Sequence, residues 1–302
     1  MSVEQAPTSR AESLLYLRAD GEDFFAIATH PSGAGNGTGV VILSDGRWVA
    51  TLGVNRFYVD LARSLAGAGF LAVRLDYRGV GESAGATRRY RLDAPLVGEA
   101  RAAARWLREH GAERVVLAGT CYGARVALDA AAGTDLVDGV AMFPPVLRDH
   151  AKGQRAASLP VAEMARRALR VRTLAALRSS SERRRYLAVA RAKLRQIGSG
   201  RGGGARGGGG RDSFQWVSPR FVDALADSID RGRRILLLFG EDDDFYGDFK
   251  RGCAGRLGPL VERAAPDVEV VVVPGRTHGL ASVDVQASVA EALTTWLVER
   301  FG

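Results

Sequence analysis

The chain has 302 residues, 46% hydrophobic and 25% charged, which supplies a substantial core and excludes a disordered polyelectrolyte. No apolar run reaches the roughly 18 residues of a membrane span, the start MSVEQAPTSR lacks a secretory hydrophobic stretch, and two cysteines are too few for a disulfide framework or a zinc cage. The expectation is a soluble cytoplasmic protein without metal, cofactor or membrane partner, although the net charge of +8 taken alone invites a nucleic-acid partner.

In chain order, residues 14–33 (LLYLRADGEDFFAIATHP and its flanks) read as two strands around the turn ADGED. Four apolar segments follow, GVVILSDG, GFLAVRLDYRG, RVVLAGTCYG and VDGVAMFPP, each closed by glycine, acidic or proline residues. Two more, RRILLLFGEDDD and VEVVVVPGRTHG, come after a long gap. Such runs, apolar on both faces and separated by helical patterns, predict a mostly parallel, doubly wound α/β sheet. The helices are amphipathic: Phe57, Leu61, Leu65 and Ala68 share one stripe, Leu96, Ala100, Ala104 and Leu107 another, and DVQASVAEALTTWLVERFG closes the chain.

The gap divides the chain into a first core part, 1–147, an insertion, 148–211, and a second core part, 212–302. The insertion is helical in composition and ends in GSGRGGGARGGGGR, a tract with nothing to pack. Seventeen basic residues there meet three acidic ones, so the insertion carries +14 and the remainder of the chain about −6. The basicity belongs to the insertion. An RNA-binding reading of the RGG-like tract fails on its single short length and its lack of interleaved aromatics, so no nucleic-acid partner is expected.

The chemistry centres on GTCYG at 119–123, a cysteine between two glycines with a strand before it and a helix-forming ARVALDAAA after it. A nucleophile on such a strand-to-helix turn is forced into a strained conformation, and only glycine fits at Gly119 and Gly123. The start of the following helix should favour the thiolate, so Cys121 is expected to be more acidic than a free cysteine. Two partners follow in the chain order that this sheet imposes on a triad: an aspartate of EDDDF, with Asp243 favoured over Asp242 and Asp244, and His278 in RTHGL. Of the other three histidines, His30 and His110 read as structural and His150 lies at the edge of the basic insertion.

Together GTCYG, FGEDDD, GRTHG and the turn RLDYRGVGES resemble the α/β-hydrolase superfamily over nearly all the chain outside the insertion. GVNRFYVDLARSLAGAGF with that turn is especially similar to bacterial members of polymer-export and polyketide or nonribosomal peptide pathways. Two features depart from the pattern: cysteine replaces the usual serine, and SDGRW replaces the usual His-Gly after the third strand. The resemblance implies an oxyanion hole from the amide of Tyr122 and a second amide of the SDGRW loop, from Gly46 or Arg47, with Asp45 a substrate contact or a turn residue. DYRGVGES reads as a structural turn in which Asp76 and Arg78 pair locally. The insertion falls where the family commonly carries a lid; its arginines either meet the phosphates of coenzyme A or an acidic carrier protein, or form a solvated helical pair.

Cysteine in place of serine has a chemical consequence. Attack by sulfur on a thioester exchanges one thioester for another and keeps the acyl group activated. The expected activity is therefore acyl transfer through a cysteinyl acyl-enzyme, acting as thioesterase or acyltransferase on a CoA- or carrier-bound acyl group. A hydrolase or lyase acting on a free ester or lactone, like dienelactone hydrolases, is the alternative.

Overall fold

The computed structural model describes residues 12–46, 51–86, 90–149 and 217–302. The chain divides into two units, Met1–Arg148 with Trp216–Gly302, and Asp149–Gln215. The expected lid at 148–211, with His150, lies outside the described residues but for its first two positions.

The first unit is built on an eight-stranded sheet in the order β1-β2-β4-β3-β5-β6-β7-β8. Its strands are β1 (Glu12–Ala19), β2 (Glu22–Thr29), β3 (Thr38–Leu43), β4 (Leu71–Leu75), β5 (Arg114–Cys121), β6 (Gly139–Pro145), β7 (Arg234–Gly240) and β8 (Val268–Val273). Strand β2 runs antiparallel to both β1 and β4, and all later pairings are parallel. The expected doubly wound α/β sheet is the observed one.

Alternation along each strand builds two cores. Val41, Leu43, Leu117, Ile235, Leu237 and Phe239 face one side, where they meet α2 (Gly98–Glu109), α3 (Tyr122–Ala131) and α4 (Pro219–Asp230). Val40, Ile42, Val116, Ala118, Leu236 and Leu238 face the other, against α1 (Phe57–Gly67) and α7 (Val283–Phe301). Between α4 and α7 lie the short helices α5 (Asp244–Cys253) and α6 (Leu257–Arg263). The central strands are buried throughout because helices cover both faces, whereas the edge strand β1 alternates and leaves Leu14 and Tyr16 exposed.

Helix boundaries follow local chemistry. Ser218 caps α4 by accepting the Phe221 N–H at 3.4 Å, and Pro219 takes the first turn, where its missing N–H costs nothing. The turn after β4 is held differently from the expected Asp76–Arg78 pair. Asp76 accepts the backbone N–H groups of Thr51 at 2.9 Å and Glu82 at 3.1 Å. Arg78, with 1% of its side chain exposed, pairs instead with Glu99 at 2.5 Å, Asp20 at 2.8 Å and Glu22 at 3.5 Å. A guanidinium in that position needs several carboxylates to replace its water, and one neighbour two residues away cannot supply them.

Strands β3 and β5 are neighbours, yet the connection leaving β3 crosses to β4 on one side and the connection leaving β5 crosses to β6 on the other. Loops after two such strands diverge and leave a crevice at the carboxyl end of the sheet, where open α/β sheets hold their ligands. Cys121 ends β5 at that edge, and Ser44–Gly46 follow β3 beside it.

Candidate active site

Cys121 sits between β5 and α3 with φ 51° and ψ −107°, left-handed backbone that a side chain avoids. Holding it there costs about 1–3 kcal/mol, which the surrounding packing must supply. The two glycines show how tightly that packing is drawn. A Cβ on Gly119 would lie 2.2 Å from the Gly123 carbonyl oxygen, and one on Gly123 would lie 2.2 Å from the Leu43 oxygen. The elbow therefore closes only with glycine at both places, as the sequence pattern requires.

The elbow brings the sulfur to the histidine. Cys121 Sγ lies 3.3 Å from His278 Nδ1, although 157 positions separate them in the chain. His278 is half-buried, and its ring meets the edge of Phe245 at 5.1 Å between centroids. With 7% of its surface exposed, Cys121 is short of water, and burial pushes its thiol up to about 11. The Thr120 hydroxyl and the Gly279 amide pull the other way, while Asp45 and Asp243 add to the rise. The expected acidic thiol is not found: loss of hydration outweighs the Thr120 and Gly279 hydrogen bonds that favour the thiolate, so the sulfur holds its proton at neutral pH.

Asp243 is the buried member of the three aspartates after β7; Asp242 is exposed and Asp244 half-buried. Although Asp243 stands at the N-cap of α5, its carboxylate makes no capping bond there. It accepts the Gly240 N–H at 3.0 Å and the Thr277 hydroxyl with one oxygen, and the backbone N–H of His278 at 3.0 Å with the other. The acid thus reaches the histidine through its main chain, and the ring turns Nδ1 to the sulfur. Thr277, fully buried, is a contributor that the sequence reading passed over; its only signal was a hydroxyl residue immediately before the histidine.

On the other side of the elbow, Tyr122 starts α3 with its hydroxyl accepting the Leu96 N–H at 2.8 Å. Gly46, with φ 77°, lies against the Tyr122 ring, and its N–H donates to Ser44 Oγ at 3.4 Å. Arg47, the other expected source of an oxyanion amide, lies outside the described residues. Among the described residues, no group of three or more histidine, cysteine, aspartate or glutamate side chains is placed to hold a metal, and no helix is long and apolar enough to cross a membrane.

A mostly parallel, doubly wound sheet with a glycine-framed strand-to-helix elbow at its switch point is the architecture of an α/β hydrolase. Residues 40–207, more than half of the chain, match the family described as serine aminopeptidase, S33, and the chain belongs to that family. No curated protein sequence matches it significantly. An esterase of Pyrococcus furiosus superposes with a TM-score of 0.61 at 13% identity, covering 100% of this chain and 97% of its own. The proline iminopeptidase of Mycobacterium smegmatis superposes at 0.56 with 17% identity, covering 95% and 98%. A brefeldin A esterase, a bacterial homologue of human hormone-sensitive lipase, gives 0.58 at 20% identity, covering 99% and 80%. At these identities the structures share the fold. The family is serine-type by description, and this chain carries Cys121 at the elbow.

Proposed function

We propose that the chain is an acyl-transfer enzyme working through a thioester on Cys121, with a CoA- or carrier-bound acyl group as the first class of donor. The observation that carries the reading is the 3.3 Å approach of Sγ to His278 Nδ1 at a strained, glycine-framed turn. Because the thiol rests protonated, His278 acts as a general base during attack and no preformed ion pair is needed. Sγ bonds to the acyl carbon while its proton passes to Nδ1. The tetrahedral intermediate then expels the donor thiolate, which takes that proton back. The acceptor, whether water, alcohol or amine, is deprotonated by the same nitrogen and regenerates the free thiol.

The oxyanion rests on the Tyr122 N–H and on Gly46, whose long bond to Ser44 Oγ a carbonyl oxygen replaces. Asp243 serves as a positioning residue, since it fixes the backbone from which the imidazole hangs.

A second reading, hydrolysis of a free ester or lactone, draws support from the serine-type family and from structural relatives named as esterases. Intact mass spectrometry separates the two. Wild type and Cys121→Ala are mixed with acyl-pantetheine thioesters and with activated oxygen esters. An acyl adduct on the wild type alone, formed from thioesters, supports the first reading; rapid ester turnover without any thioester adduct moves the assignment to the second.

A further inference from the structure

Three tyrosine rings gather beside the elbow. Tyr77 and Tyr90 stand 5.9 Å apart between centroids, Tyr77 and Tyr122 5.7 Å, and Tyr90 and Tyr122 4.8 Å. Two of the hydroxyls are engaged inside the fold: Tyr77 donates to the Ser44 carbonyl at 3.5 Å, and Tyr122 accepts from Leu96 at 2.8 Å. The third is not. Tyr90 Oη is shielded from solvent and has no hydrogen-bond partner among the described residues.

A buried phenol normally finds a partner, and an orphaned one calls for an explanation. The position of Tyr90 supplies it. A Cβ on Gly46 would lie 3.3 Å from both Cδ1 and Cδ2 of Tyr90 and 3.0 Å from Tyr122 Cδ1, so the Tyr90 ring borders the loop after β3. That loop is the one assigned above to the oxyanion. The ring also packs on Tyr122, the residue that follows Cys121, at 4.8 Å between centroids.

We infer that the Tyr90 hydroxyl is a substrate-contacting donor that takes a neutral carbonyl oxygen of the acyl substrate. The inference rests on Cys121 as the acylated nucleophile and adds a residue that selects among substrates. Burial pushes the phenol up to about 12, with Glu99, Asp76 and Asp45 adding to the rise, so it keeps its proton at working pH. Glu99 is offset by its pairing with Arg78, while Asp76 and Asp45 disfavour an anion at this hydroxyl. A phenol that keeps its proton can donate to a neutral acceptor, and a substrate carbonyl oxygen is one.

Tyr90→Phe removes the hydroxyl and keeps the ring. Butanoyl and acetoacetyl thioesters of N-acetylcysteamine match in chain length and differ by one ketone oxygen. Turnover of both is measured on wild type and Tyr90→Phe, binding of both on Cys121→Ala and on the double variant, and the melting temperature on all four. The expected result is a loss of about 3- to 10-fold with no fall in melting temperature, since the hydroxyl has no partner among the described residues to lose. Loss confined to the acetoacetyl probe places the ketone on Tyr90; equal loss on both, carried by kcat, overturns its role as a selecting donor to a neutral oxygen. No hydroxyl-dependent difference with either probe, or a uniform loss with a lower melting temperature, overturns the inference. If wild type forms no acyl adduct while the binding difference persists on Cys121→Ala, the nucleophile assignment fails and the role of Tyr90 in binding stands.

Discussion

The turn after β5 and the paired loops after β7 and β8 position the Cys121 sulfur and the His278 ring by opposite means. Around Cys121, shape decides: backbone atoms approach Gly119 and Gly123 so closely that no side chain fits, and the sulfur is held by exclusion. Around His278, polar bonds decide: one carboxylate gathers Gly240, Thr277 and the His278 backbone onto itself. The first arrangement tolerates no change of volume, while the second depends on charge and hydrogen bonding. A nucleophile must stay in one place, whereas a base has to exchange protons and benefits from a support that electrostatics can adjust.

The contrast can be broken at four points. Replacing the sulfur is the most severe: Cys121→Ala is expected to lower turnover by about 10⁴-fold or more with an unchanged far-UV circular dichroism spectrum. On the shape-governed side, Gly123→Ala should cost about 3 kcal/mol or more of stability, read from urea unfolding, because its Cβ meets the Leu43 and Ser44 oxygens at 2.2 and 2.5 Å. Activity should fall with folding.

On the polar side, Asp243→Ala strands the Gly240, Thr277 and His278 donors, so it should lower stability by about 1–3 kcal/mol and cost about 10²-fold in kcat, the penalty of a base displaced by roughly an ångström. If kcat were unchanged with a donor for which chemistry is rate-limiting, the positioning role of Asp243 would be lost. The smallest effect is on pH-dependent stability. Burial raises the Cys121 pKa in the folded state to about 11, so its contribution is fully present below the unfolded thiol's value of about 8.5 and disappears as pH climbs to about 11. Wild type should lose about 2–3 kcal/mol more than Cys121→Ala across that window, measured by urea unfolding at its two ends.

The sheet was legible because its central strands are apolar on both faces, which few other arrangements permit. The elbow was legible because its glycines have a steric cause, and chain order in this sheet pointed to Asp243 and His278, which the structure places beside each other and beside Cys121. What sequence spacing did not reveal was the medium around them. The pattern at 119–123 suggests a helix start that acidifies sulfur, but desolvation depends on what covers Cys121, and that is set by distant segments. Likewise, nothing in DYRGVGES announces that Arg78 reaches Glu99 and Asp20, since those contacts exist only once β1 and α2 have come together. Tyr90 is a further case, for an orphaned hydroxyl is visible only in three dimensions.

The near-complete enclosure of Cys121 bears on chemistry other than acylation. Peroxides attack thiolates, and a protonated sulfur with 7% of its surface open offers them little of either charge or access. Cys121 should therefore resist oxidation, and sulfenic acid should form on it slowly, for the same reasons that delay its ionisation.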